Sequence, residues 1–311
     1  MDIQWYPGHM TKSIRIMQED IRLVDLVIEL VDARIPLSSR NPDIDRLAGT
    51  KSRLLILNKS DLSDENCCRL WISYFKGLSI NAILLDSRKT GNKKRLLSAM
   101  QSACSERIQR DRERGMKERP IRAMVAGIPN VGKSTFINSF SGKAMAKTGN
   151  KPGVTKGKQW IHLEGVDLLD TPGLLWPKFD DPEIGLKLAL IGAINDEILS
   201  EETLALQLIR KIMVLYPEAL EKRYSISEAE VPETLLAGIG KKRGCLVKGG
   251  EIDLSRTSDI LLDDFRQGRL GRISLEVPAD FTLGARKGYM NEAAAQPDSA
   301  DSSTEQKSSD N

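Results

Sequence analysis

Gly127-Ile128-Pro129-Asn130-Val131-Gly132-Lys133-Ser134 is the stretch from which the reading of this chain starts. An apolar β-type run, Ala123 to Ala126, precedes it, and Thr135-Phe136-Ile137-Asn138 opens a helical pattern behind it. Strand, glycine-rich loop and helix form the context in which backbone N–H groups and a helix N-terminus face phosphate oxygens. Gly127 and Gly132 allow backbone geometry and close approach that a Cβ would obstruct. Lys133 supplies a point charge for the β and γ phosphates, and the Ser134 hydroxyl suits Mg²⁺. Asn130, Val131, Gly132, Lys133, Ser134 and Thr135 are the candidate phosphate-side contacts. A nucleoside triphosphate site is expected here.

Upstream, three buried-strand patterns alternate with helical ones. Leu26–Val31 ends in Asp32-Ala33-Arg34-Ile35-Pro36, Arg53–Leu57 in Asn58-Lys59-Ser60-Asp61, and Asn81–Leu85 in Asp86-Ser87-Arg88. Helices are expected from Thr11, over Asn66–Phe75 and over Lys93–Ile108. This alternation predicts an α/β fold, a mostly parallel sheet with helices on both faces. Each strand delivers polar residues at its carboxyl end, where ligands bind in open sheets. An Asp61 carboxylate can accept from guanine N1–H and the 2-amino group. Adenine lacks that donor pair, so GTP is preferred over ATP. Asn58 would tie neighbouring loops, Lys59 would lie against the base, and the Ser87 segment would face the guanine carbonyl. Residues Ser105 to Ile121 read as a charged helix end and linker.

Downstream of the phosphate loop, Lys143, Lys147, Lys151, Lys156 and Lys158 fall in a glycine-rich segment without an acidic residue. Thr155 is the residue there whose side chain could reach Mg²⁺. Strands Gln159–Leu163 and Val166–Leu169 lead to Asp170-Thr171-Pro172-Gly173. Asp170 would hold Mg²⁺ through water, and the Gly173 N–H would sense the γ-phosphate. The remainder is helical by periodicity, at Pro182–Ile194, Glu201–Tyr216, Pro232–Gly240 and Ser255–Gln267. The predicted division is a nucleotide domain over 1–180, a helical domain over 181–288 and a disordered tail over 289–311.

The 311 residues have 40% hydrophobic and 29% charged content and a net charge of +3, as in a soluble globular protein. Residues 1–184 hold 30 Lys and Arg against 22 Asp and Glu, whereas 185–290 hold 15 against 16, so polyanion affinity is expected in the first part. Cys67, Cys68, Cys104 and Cys245 form no CxxC pair, which argues against zinc or a disulfide framework. The opening MDIQWYPGHM lacks a signal-peptide core, and no apolar run is long enough to span a membrane. A cytoplasmic monomer is the expectation.

The motif order is unusual. NKSD and DSR precede the phosphate loop, whereas ordinary GTPases place them after it; the order is a circular permutation. Together with WYPGHM, DARIP, DTPG and KRGCLVKGGEID, these motifs resemble the bacterial ribosome biogenesis GTPase A family of circularly permuted GTPases, over residues 1 to about 288. The resemblance implies a GTPase that binds the large ribosomal subunit precursor and its rRNA late in assembly, is slow alone and is stimulated by that subunit. It implies His9 as a catalytic residue, with Lys133, Thr155 and Gly173, because Leu174 stands where a water-orienting glutamine would be. It also implies K⁺ at Asn130, and an RNA-contacting helical domain. Two other classes share the nucleotide motifs: a GTP-dependent tRNA- or RNA-modifying enzyme, and a switch acting on a protein partner.

Overall fold

The computed structural model describes residues 15, 17–89, 91–142, 159–170, 181–194, 200–226 and 231–278. Strand β1, Leu26–Asp32, is buried along its whole length and lies in the middle of the sheet. It pairs in parallel with β2, Ser52–Asn58, on one side and β4, Ile121–Ala126, on the other. β3, Ala82–Leu84, extends the sheet beyond β2. β6, Val166–Asp170, runs parallel to β4, and β5, Gln159–Leu163, is antiparallel to β6. The six strands are ordered β3-β2-β1-β4-β6-β5. Apolar runs with no alternation suit strands covered on both faces. The acidic residue inside β1, Glu29, is accommodated by Arg40 and Arg53 at 3.1 and 3.0 Å.

Side chains alternate across the sheet and divide the core accordingly. Val27, Met124, Ala126 and Leu169 meet Met17, Ile21, Val24 and Ile44, the last on α1, Pro42–Ala48. Val31, Leu55 and Leu57 continue that face onto Trp71 and Phe75 of α2, Glu65–Gly77, whose rings stack with centroids 5.6 Å apart. Burying each such aromatic contributes roughly 1.5–3 kcal/mol. On the opposite face, Leu26, Ile28, Leu30, Ala123 and Val125 join Leu96 and Met100 of α3, Lys93–Ala103, and Phe136 and Phe140 of α5, Lys133–Ser141. The helix expected over Lys93–Ile108 is broken at the fully buried Cys104, which lies between α3 and α4, Ser105–Glu113. No residue of α4 is buried, as its charge pattern implies.

Helices α6, Pro182–Leu190, α7, Glu201–Leu215, α9, Pro232–Arg243, and α10, Leu254–Arg266, match the periodic stretches. A short α8, Glu218–Tyr224, was not anticipated from periodicity. Leu188, Leu204, Leu208, Leu261 and Phe265 belong to the same continuous core as the second sheet face. Asp264 ties three of these elements together. It accepts from Arg223 Nε at 2.8 Å, Tyr224 Oη at 2.9 Å and Arg243 Nη2 at 3.2 Å, and also from Arg269. Burial opposes its ionisation, but these donors outweigh that cost and pull its pKa down to about 2.

Candidate nucleotide-binding site

The carboxyl ends of β1, β2, β4 and β6 point to one edge of the sheet and present Asp32, Asn58, Gly127 and Asp170 there. The loop after β4 has almost no spare room. A Cβ on Gly127, at φ 150°, would lie 2.5 Å from the Leu30 carbonyl oxygen; one on Gly132, at φ 95°, would lie 2.6 Å from Asn58 Nδ2. Gly132 is also the left-handed residue from which α5 starts. Lys133 Nζ donates to the Gly127 and Ile128 carbonyls at 2.9 and 2.8 Å, so it folds back over its own loop. Burial lowers its pKa to about 8, with the Asp170 carboxylate opposing the shift. Ser134 and Thr135 follow in the first turn of α5, half-buried.

Asn58 joins this loop to the base-recognition side. Its Nδ2 donates to the Val131 carbonyl at 2.7 Å, and its Oδ1 accepts from Ser87 N and Oγ at 3.2 and 2.7 Å. The tying role expected of Asn58 is therefore visible as geometry. It also engages the Ser87 N–H, the group expected to face a guanine carbonyl, and Arg88 N donates to Asp86 Oδ1 at 3.0 Å. Lys59 adopts φ 56° and places Nζ 2.6 Å from the Asn130 carbonyl and 3.1 Å from Asp32 Oδ2, which leaves its aliphatic stem to line the site. Asn130, itself at φ 62°, donates its side-chain nitrogen to the Gly192 carbonyl, just beyond α6.

Asp61 accepts from Arg88 through Oδ2, while its Oδ1 is buried and has no hydrogen-bond partner among the described residues. A buried, unsatisfied carboxylate oxygen is costly unless a ligand pairs with it. The guanidinium it shares is 60% exposed and also lies 3.5 Å from Asp86 Oδ1.

Asp32 and Arg34 were not singled out from the sequence as site residues. Asp32, fully buried, accepts from Arg34 Nε, Nη2 and backbone N at 2.9, 2.8 and 3.1 Å as well as contacting Lys59. Burial opposes its charge, but Arg34 and Lys59 outweigh burial and hold the carboxyl below the usual range. The available signal was positional: two adjacent strands, β1 and β2, both end in a polar motif. His9, Thr155 and Gly173, together with the lysine-rich segment, lie outside the described residues.

Comparison with known proteins identifies the family. The family profile described as "50S ribosome-binding GTPase" matches residues 122–236. The chain is similar to ribosome biogenesis GTPase A of Bacillus cereus, 46% identical over 285 residues that cover 90% of this chain and 96% of that protein. It belongs to the ribosome biogenesis GTPase A family. The family member of Thermotoga maritima is 32% identical, with 90% and 96% covered. Among solved structures, GDP-bound T. maritima YlqF superposes with a TM-score of 0.61 at 27% identity, covering 85% of this chain and 99% of that one. Membership of the ribosome biogenesis GTPase A family makes GTP the nucleotide and its hydrolysis the reaction of this chain.

Proposed function

We propose that this GTPase is an assembly factor that binds the precursor of the large ribosomal subunit, through its rRNA, and promotes late maturation. The observation that carries the nucleotide side is the buried Asp61 Oδ1, without a hydrogen-bond partner among the described residues and linked through Asn58 and Lys59 to the phosphate loop. Guanine N1–H and the 2-amino group are the donors that this carboxylate lacks. Binding exchanges Arg88 for the base edge, while Lys133 leaves its loop carbonyls for the β and γ phosphates.

A hydroxyl from Ser134 and the Asp170 carboxylate are hard oxygen donors, so the residues at this edge fit Mg²⁺, with Thr155 as the further ligand and Asp170 acting through water. Mg²⁺, when bound, neutralises charge developing on the phosphate oxygens. At Asn130 the amide nitrogen is engaged with Gly192, which leaves the amide oxygen as a donor suited to K⁺. Gly173 senses the γ-phosphate, and His9 orients the attacking water once the ribosomal partner is present. Hydrolysis alone is therefore slow. The GTPase part, 1–180, and the helical part, 181–288, act as one cytoplasmic monomer, with the five lysines from Lys143 to Lys158 facing rRNA phosphates in the GTP state.

Sedimentation of the purified protein with ribosomal subunits in GTP and in GDP tests this function. The expectation is GTP-dependent recovery with the large-subunit precursor and faster hydrolysis in its presence, lost in His9→Ala with GTP binding retained. Recovery with neither subunit in either nucleotide would overturn it.

A further inference from the structure

After α10 the chain returns to the base-recognition side of the nucleotide site. Arg34 Nη1 donates to the Phe265 carbonyl at 3.3 Å, and its guanidinium lies 4.9 Å from the centre of the Phe265 ring. Five residues, Arg272 to Glu276, are then laid between two loops. Arg272 donates from Nη2 to the Ser60 carbonyl at 3.1 Å and from Nε to the Ser63 carbonyl at 2.8 Å. Ile273 N donates to the Leu62 carbonyl at 2.9 Å, and Leu275 N to the Arg34 carbonyl at 2.9 Å. Ser274 Oγ accepts from Asp64 N at 3.1 Å and lies 2.7 Å from Ser63 Oγ. Glu276 accepts from Leu37 N, Ser38 N and Ser38 Oγ at 2.8, 3.1 and 2.8 Å.

One group of these contacts surrounds Asp61. The carbonyls of Ser60, Leu62 and Ser63 all accept from the returning segment, so the backbone on both sides of the carboxylate is held from outside its own loop. The other group holds the loop of Arg34, the residue that fixes Asp32 against Lys59. A binding loop ordered in advance does not lose that freedom when ligand arrives, and affinity rises accordingly.

We propose that Arg272–Glu276 is a positioning strap for guanine recognition, with Arg272 as its principal positioning residue and Arg34 as the tie from the strap to Asp32 and Lys59. The proposal rests on Asp61 as the base-reading group. It makes strap docking and base binding mutually reinforcing, since a coupling between two sites is reciprocal. The segment that follows the helical part thereby becomes a component of the nucleotide's base pocket. A segment that merely closed the fold would add stability without affecting discrimination between bases.

Inosine triphosphate separates the two roles, because it lacks the 2-amino group that Asp61 accepts. Affinities for GTP and inosine triphosphate are to be measured on the full chain, for wild type, Arg272→Ala, Arg272→Lys and Ser274→Ala, alongside thermal melting. Wild type should prefer GTP. In Arg272→Ala the preference should shrink at least about fivefold, with Arg272→Lys recovering most of it. Exchange of the Ile273 and Leu275 amide hydrogens should slow when GDP binds wild type, and slow less in Arg272→Ala. An unchanged GTP preference in folded Arg272→Ala would overturn the strap. Should that variant not fold, Ser274→Ala decides by the same ratio, with a smaller expected loss and the same overturning result. If wild type shows no preference, the Asp61 reading fails and the strap falls with it, an outcome distinct from failure of the strap alone.

Discussion

Asn58 Nδ2 lies 2.7 Å from the Val131 carbonyl oxygen, and through this contact the end of β2 holds the phosphate loop in place. The same side chain accepts from Ser87 N and Oγ, so one buried amide connects three loops. Asn58→Ala forfeits all three bonds and leaves buried partners unsatisfied, a loss of about 2–3 kcal/mol in stability. GTP and GDP affinity should fall together, since the tie serves both states. Chemical denaturation and titration with both nucleotides check this. Asn58→Asp should be worse still, because a carboxylate would face the Val131 carbonyl.

Asp61→Asn should lose GTP affinity by an amount of the order of a few kcal/mol and favour xanthosine triphosphate, whose 2-oxo group accepts from an amide. Competition binding with the two nucleotides measures the change. Equal GTP affinity in variant and wild type would remove the guanine assignment.

Arg88 pairs with Asp61 in this structure, where the proposed base edge would have to displace it. Its guanidinium is 60% exposed, so the pair is worth about 0.2–1 kcal/mol. Arg88→Ala should therefore bind GDP and GTP tighter by no more than about fivefold, with faster association. A weaker complex would show instead that Arg88 contacts the nucleotide.

Lys133 has a folded pKa lowered to about 8, against an ordinary 10.5. Between these values the unfolded chain holds the proton that the folded, nucleotide-free protein has released, so stability without nucleotide rises as pH increases from about 8 to 10.5. Nucleotide affinity moves the other way, because the phosphates require the charged ammonium. Affinity should be level from pH 6.5 to 7.5 and decline above pH 8 by up to about tenfold per unit. Titrations across this range, beside Lys133→Met, which should be weak and free of this decline, measure the effect.

Two glycine substitutions should fail differently. The Cβ of Gly127→Ala would strike a backbone oxygen, Leu30 O, in the central strand, which cannot yield cheaply. Its main effect should be on stability, by about 1–3 kcal/mol or more. The Cβ of Gly132→Ala would strike the end of the Asn58 side chain, which can swing aside only by releasing Val131. Nucleotide affinity should be the larger loss there. Parallel thermal melts and GDP titrations separate the two.

Much of this protein is legible in sequence because its central strands are covered on both faces. Leu26–Val31, interrupted only by Glu29, and Leu54–Leu57 appear as apolar runs, and each ends where its motif starts. The phosphate loop is equally local, eight consecutive residues between a strand and a helix. Less legible were the break at Cys104, where a buried thiol gives no helix-stop signal, and α8, whose seven residues are too short for periodicity to register.

The sequence by itself determined the α/β alternation, the permuted motif order and the residues proposed for phosphate and base chemistry, since each of these is written in neighbours along the chain. Tertiary structure alone decided which charges meet. Asp32 reaches Lys59 because β1 and β2 are parallel neighbours in a register that sets Asp32 beside Asn58. Arg272 reaches the Ser60 carbonyl across 212 positions of sequence because α10 packs into the core shared with the sheet and delivers the returning chain to that edge. No short-range pattern encodes such contacts: they follow from strand register and from the route the chain takes around a common core.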